Sequence, residues 1–182
     1  MRIDLVTETY PPEVNGVART LAAIADQWHR QGHAVTIWRP QPALAAAPCN
    51  DGPQTMHLPG WPLPRYPGLR MGRFAGARLR RVWRQDRPDV VHVATEGPLG
   101  FSALRGARAL GIPVTSSFHT NFHAYGRHYG FGRLARPVLA WLRWFHNRAH
   151  ATLVPTEEVR QSLESRGFRR VHCVARGVDT DL

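Results

Sequence analysis

The chain has 182 residues and a formal net charge of +11, and all 24 of its strongly basic side chains are arginine. That length suits a single domain able to bury roughly 70% of its unfolded surface, which needs neither a disulfide nor a metal to fold. Cys49 and Cys173 are far apart and form no metal-ligand spacing, and no apolar run approaches the roughly 20 residues that span a bilayer. The excess charge predicts attraction to anions, whether phosphorylated ligands, an anionic membrane surface, nucleic acid or an acidic partner. Two thiols and an N-terminus that reads as a strand, too short for an export signal, point to the cytoplasm.

In chain order, Arg2 to Thr7 alternates as a first strand, and a polar, proline-containing loop runs from Glu8 to Asn15. Val17, Leu21, Ile24, Ala25 and Trp28 recur at helical spacing until Gly32, and Ala34 to Trp38 makes a second strand. This β-loop-α-β unit builds parallel sheets. Residues 40–70 are proline-dense and irregular, with a short strand near Thr55 to Leu58. Leu58 to Gly68 cannot be regular helix or central strand, because proline removes donors and fixes φ.

A helix is predicted from about Gly72 to Gln85, with Ala75, Leu79 and Val82 on its core face. Asp89 to Ala94 reads as a buried parallel strand, Gly97 to Leu110 as a helix ended by Gly111, and Ile112 to Phe118 as the next strand. A long helix from about Phe131 to His150 presents Leu134, Val138, Trp141, Leu142 and Phe145 to the core, with Pro137 as a kink or restart. Ala151 to Pro155, Thr156 to Ser165 and Val171 to Ala175 follow as strand, capped helix and strand. Six or seven strands interleaved with five or so helices make an α/β fold, an open doubly wound Rossmann-like sheet with helices on both faces. Such sheets bind ligands beyond the carboxyl ends of their strands. The loops Glu8–Asn15, Thr95–Pro98 and His119–Gly130 are therefore the places for chemistry.

Gly16 falls where the first helix begins, where a missing Cβ admits ligand atoms and unpaired N–H groups favour a phosphate. Asn15-Gly16 also reads as a plain turn, and the G-x-G-x-x-G dinucleotide spacing is absent. His119 follows a strand directly and is placed for polar work on a substrate, although composition alone also allows a structural histidine. His119, His123 and His128 invite a metal reading, but only two of them, at i and i+4, could share a helix face. A third ligand and any carboxylate are not supplied nearby, so no metal is expected. Arg78, Arg80, Arg81, Arg84 and Arg87, close to Trp83, and Arg127, Arg133, Arg136, Arg143 and Arg148, with Phe131 and Trp144 off the core face, line two helices. They read either as solvated faces or as docking surfaces for anionic lipid. No nucleic-acid motif accompanies the charge, so nucleic acid is not an expected partner.

The segment Glu8-Thr9-Tyr10-Pro11-Pro12-Glu13-Val14-Asn15-Gly16-Val17-Ala18-Arg19-Thr20-Leu21 resembles the opening of retaining GT-B glycosyltransferases of the large "glycosyl transferases group 1" superfamily. So do His119-Thr120-Asn121-Phe122 with Tyr125 and Tyr129-Gly130, the turn Pro155-Thr156-Glu157, and Arg176-Gly177-Val178-Asp179. Leu63 to Arg70 is similar to a stretch in α-mannosyl- and sulfoquinovosyl-transferase-like members, several of which glycosylate lipids. The resemblance implies that Gly16 donates its N–H to the diphosphate of a UDP- or GDP-sugar. It implies that His119 lies against the transferred hexose and helps stabilise an oxocarbenium-like transition state, with retention of configuration and no metal. Loop placement, more than motif matching, adds Tyr10, Glu13, Asn15, Glu96, Thr120, Asn121 and Tyr125 as acceptor or sugar contacts.

In complete relatives, Gly-Val-Asp marks the crossing into a second Rossmann domain that holds the nucleotide. Residues 1–182 are thus expected to be the N-terminal, acceptor-side domain without that C-terminal nucleotide-sugar-binding domain, and inactive alone. The expected partners are a nucleotide sugar, a hydroxyl acceptor such as a glycolipid, the missing domain, and an anionic membrane surface met by the arginine-rich helices from the cytoplasmic side. The alternatives are a non-enzymatic basic α/β module that docks on anionic lipid or on a partner chain, a Rossmann enzyme of another class, and a GT-B sugar-nucleotide epimerase. A domain that closes against another should expose an apolar face near Tyr10, Val14 and Phe122.

Overall fold

The computed structural model describes residues 1–43, 52–63, 68–119 and 135–174. Its first half comprises β1 (Arg2–Val6), α1 (Gly16–Arg30), β2 (Ala34–Pro40), β3 (Gln54–Leu58), β4 (Gly60–Pro62), β5 (Arg70–Gly72) and α2 (Gly76–Gln85). The second half comprises β6 (Val90–Val93), α3 (Pro98–Ala109), β7 (Val114–Ser117), α4 (Ala135–His146), β8 (Ala151–Val154), α5 (Glu157–Glu164) and β9 (Val171–Cys173).

Seven strands form one parallel sheet in the order β3-β2-β1-β6-β7-β8-β9. The chain builds outward from β1 in one direction, then returns and builds from β6 in the other. The β1–β6 boundary is therefore the switch point where a cleft opens. Strand alternation sorts the core into layers. Leu5, Val35 and Ile37 face α1 through Leu21 and Ala25, whereas Val6, Trp38, Val91 and Val93 face α2 and α3 through Leu79, Trp83, Leu99 and Leu104. Leu142 of α4 and Leu163 of α5 close a third cluster over Val154 and Val171.

Several boundaries differ from expectation for identifiable reasons. Arg70–Gly72 is not helical but pairs antiparallel with Gly60–Pro62, an edge hairpin that tolerates Pro62, so α2 starts at Gly76. Trp83 is buried rather than lying among the exposed arginines, because Asp4 receives its indole N–H. In α4, Trp141 turns outward at 38% exposure, and Trp144 packs half-buried against the core below it. The described part of this helix runs from Ala135 to His146, with Pro137 inside it, so it ends short of the expected His150. Phe131 to Leu134 and Cys49 lie outside the described residues.

Candidate functional site

The loop after β1 is held from both ends. Asn15 caps α1 by accepting from the Ala18 N–H at 2.9 Å while its amide donates to Thr9 Oγ1 at 2.7 Å. The cap leaves the N–H groups of Gly16 and Val17 outside the helical ladder. Gly16 has an ordinary backbone conformation, and a Cβ built on it meets nothing within 4 Å. Neither its conformation nor packing among the described residues requires a glycine there.

Behind the loop, buried Arg39 of β2 donates through Nη2 to Glu13 Oε1 at 2.5 Å, and through Nη1 to the carbonyls of Tyr10, at 2.8 Å, and Pro11. Glu13 Oε2 accepts from the Tyr10 N–H at 2.8 Å. Both Glu13 oxygens are thereby committed inside the chain. Val14, at the tip, is 84% exposed, and Tyr10 is half-buried, while Phe122 lies outside the described residues.

Glu8 ties this loop across the switch point. Its N–H donates to Thr95 Oγ1 at 2.9 Å, and its carboxylate accepts from Leu99 N, at 3.1 Å, and Gly72 N. It caps α3, whose own N-cap residue, Gly97, has no side chain to offer. Gly97 is small because a Cβ there would stand 2.4 Å from Glu8 Oε1. Burial pushes the Glu8 carboxyl up to about 7, against the pull of the backbone N–H groups of Gly72, Leu99 and Gly100.

The end of β7 is bracketed by a polar network on each face of the sheet. Toward α1, His92 of β6 bonds Thr115 Oγ1 and Ser117 Oγ, both at 2.8 Å, and stands edge-on to Trp28. Burial, with His119 as the neighbouring charge, drives His92 down to about 4, so it is neutral. Toward α4, buried Ser116 bonds His146 Nδ1 at 2.9 Å and Thr152 Oγ1 at 3.1 Å. His146 Nε2 in turn lies 3.0 Å from Glu96 Oε1. Glu96 thus sits at the carboxyl edge of the sheet, with its side chain 18% exposed.

His119 emerges between the two networks on the lip of a cleft of about 410 Å³. One wall is α1, with Thr20, Ile24, Gln27 and Trp28, and the other is Ser117, Phe118, Leu153 and Pro155. An apolar trough with a few polar groups at its rim is the usual form of a small-ligand site. The structure thus places Gly16 and Asn15 at the start of one cleft wall, His119 on its rim, and Glu96 on the opposite face of β7.

Thr120, Asn121 and Tyr125 lie outside the described residues. Among the described residues, no cluster of three or more His, Cys, Asp or Glu side chains is placed to hold a metal ion. Glu8, Arg39, His92 and His146 escape a reading of the sequence, because their partners lie 23 to 91 residues away. The usable signals were an acidic residue at the end of a strand, an arginine at the end of an apolar strand, and hydroxyls repeated along β7.

The profile of the family described as Glycosyltransferase Family 4 matches residues 14–182. The chain belongs to that family. Within it, the GDP-mannose-dependent alpha-mannosyltransferase of Mycolicibacterium smegmatis is 34% identical over 182 residues, covering 98% of this chain and 48% of the relative. The alpha-monoglucosyldiacylglycerol synthase of Streptococcus pneumoniae is 30% identical over 167 residues, covering 90% of this chain and 37% of the relative. The chain spans about half the length, or less, of these curated relatives. In fold it matches the sucrose-phosphate synthase of Thermosynechococcus elongatus with a TM-score of 0.71 at 10% identity, covering 97% of this chain and 48% of that one. The family-4 assignment and the seven-stranded sheet agree: this is one Rossmann-like half of the GT-B architecture.

Proposed function

We propose that this chain is the acceptor-side half of a retaining hexosyltransferase that moves a sugar from a nucleotide sugar to a hydroxyl acceptor, with a glycolipid favoured. One observation carries the reading: His119 stands on the rim of a cleft whose other wall is the helix that opens at Gly16. The first turn of α1 offers backbone N–H groups to a diphosphate, and the empty space at Gly16 suits close approach by ligand oxygens. His119 hydrogen-bonds the transferred sugar and stabilises the positive charge developing at its anomeric carbon. The acceptor hydroxyl enters on the face from which the diphosphate departs. Tyr10, Asn15 and Glu96, with Glu13 as a loop brace and Thr120, Asn121 and Tyr125 from the His119 loop, shape the acceptor side.

The donor is a GDP- or UDP-sugar. GDP-mannose is the first to try, because it is named in the description of the M. smegmatis relative. The base-binding groups belong to a second domain, so this chain alone does not turn over. No step is assigned to a metal. In this reading the protein works at the cytoplasmic face of a membrane and is held there peripherally. Among the described residues, no helix is long and apolar enough to cross a membrane.

The test is an amide chemical-shift titration of the chain with GDP-mannose, run beside a turnover assay. Weak shifts confined to Gly16, Val17 and His119, lost in Gly16→Ala, with no sugar released, are expected. Micromolar binding away from that edge would sink the acceptor-half reading, and turnover by this chain alone would sink its dependence on a second domain.

A further inference from the structure

Charge is distributed unevenly over the helices. The three helices α2, α3 and α4 contain no aspartate or glutamate, yet carry eight arginines, among them Arg78, Arg81, Arg105 and Arg136. By contrast, α1 carries Asp26, and α5 carries Glu157, Glu158 and Glu164. Core packing places α2, α3 and α4 side by side over one face of the sheet, with Leu79, Leu104 and Phe145 in one cluster. A surface formed by three successive helices without an acid of their own, with Glu96 at its edge bonded to His146, is not the mixture of signs that a merely solvated face carries.

At the centre of that surface lies an aromatic ladder. Trp141 and Trp144 stack at 5.2 Å, Phe101 packs on both at 5.6 and 5.8 Å, and Phe74 meets Phe101 edge-on at 6.0 Å. Phe74 is 66% exposed and Trp141 38%. The cations stay with the rings: the Arg148 guanidinium lies 4.0 Å from the Trp144 centroid, and that of Arg105 lies 5.6 Å from Phe101. Rings whose bodies are apolar, flanked by cations that reach outward, match the layered chemistry of a bilayer interface. Indoles settle at headgroup depth, and arginines pair with lipid phosphates.

We infer that the aromatic ladder Phe74–Phe101–Trp141–Trp144, with Arg105 and Arg148, is the contact by which this chain docks on an anionic lipid surface. The occupant is fixed by complementarity: the patch combines exposed rings with an excess of positive charge, which suits a sheet of lipid phosphates. The inference extends the lipid-acceptor reading by naming the surface that would bring the chain to its substrate. The docking itself needs no sugar transfer.

The experiment is co-sedimentation of the chain with vesicles of phosphatidylglycerol and, separately, of phosphatidylcholine, together with tryptophan quenching by brominated phosphatidylglycerol. Binding to phosphatidylglycerol that weakens with salt, quenching on binding, and little affinity for phosphatidylcholine are expected. Phe74→Ser, a change at the surface, should weaken binding by about tenfold, and Arg105→Gln with Arg148→Gln by a similar factor. Arg30→Gln with Arg169→Gln, which removes the same charge from exposed positions outside these three helices, should change it far less.

No binding to phosphatidylglycerol, equal loss in both arginine pairs, or binding without quenching would overturn the inference. So would a self-association that Phe74→Ser abolishes in place of vesicle binding, because the patch would then belong to a second copy of the chain. None of these outcomes touches the reading of the His119 cleft, which the nucleotide titration tests by itself.

Discussion

Among the described residues, Asp4, Glu8 and His92 are desolvated without a salt bridge, and each is stabilised differently. Asp4 accepts from the indoles of Trp38 and Trp83, both at 2.6 Å, and burial still raises its pKa above the usual value. Trp83→Phe keeps most of the packing and removes one bond to that carboxylate. The expected loss is about 2 kcal/mol in urea unfolding, and a loss near zero would mean that the second indole contributes nothing. Glu8 and His92 act in opposite senses over nearly the same pH range. The Glu8 pKa rises from 4.5 to about 7 on folding, so its contribution is complete below about pH 4.5 and lost as pH rises through 7. His92 falls from 6.5 to about 4, so its contribution is complete above pH 6.5 and lost as pH falls through 4. Each effect is on the order of 3 kcal/mol, and the two oppose each other between those pH values. Relative to the parent, Glu8→Gln should therefore become less stable on acidification from neutrality to pH 4.5, and His92→Gln more stable. Urea midpoints measured across that range check both slopes, and a variant curve parallel to the parent's would refute the opposition.

Helix starts carry the clearest contrast between local and non-local causes. The N-cap of α1 at Asn15 and that of α5 at Thr156 are written in neighbouring residues, and the sequence reading placed both starts within a residue. The start of α3 is marked locally by Gly97-Pro98, with proline at the first helical position, but its capping side chain is Glu8, 91 residues away, which no local pattern reveals. Two glycines in these elements should respond in opposite ways to the same change. A Cβ on Gly100 would lie 1.9 Å from the Thr95 carbonyl oxygen, which belongs to a backbone pinned by the sheet. Gly100→Ala should therefore cost about 3 kcal/mol or more, whereas Gly16→Ala should leave thermal stability within about 0.5 kcal/mol of the parent while removing the response to GDP-mannose. A destabilised Gly16→Ala protein would show that the chain itself, and not a ligand, needs that glycine. In α4, Val138, Leu142 and Phe145 face the core as the spacing predicts, whereas Trp141 and Trp144, which share the apolar pattern, exchange the places expected of them. Which of the two faces the core is decided by Phe101 and the half-buried seat beside α3.

With a net charge of +11 and few ion pairs among the described residues, the folded molecule works against its own arginines. The described bridges of Arg160 to Glu157 and Glu164, and of Arg2 to Asp86, are exposed and contribute little. Added sodium chloride should therefore raise the urea midpoint by screening repulsion. A fall would mean that the surface pairs outweigh the net charge. The parallel α/β class, most strand positions and the family signature at residues 8–21 and 119–122 were legible from the sequence. The apolar runs, caps and turn residues that encode them are neighbours along the chain. The structure alone decided how these pieces converge. It set Glu8 against Gly72 and Leu99, Arg39 under Glu13, a histidine network on each side of Ser116 and Ser117, and four aromatic rings in one arginine-flanked patch. Those contacts join residues tens of positions apart, and their energies depend on burial and distance, which no local pattern contains.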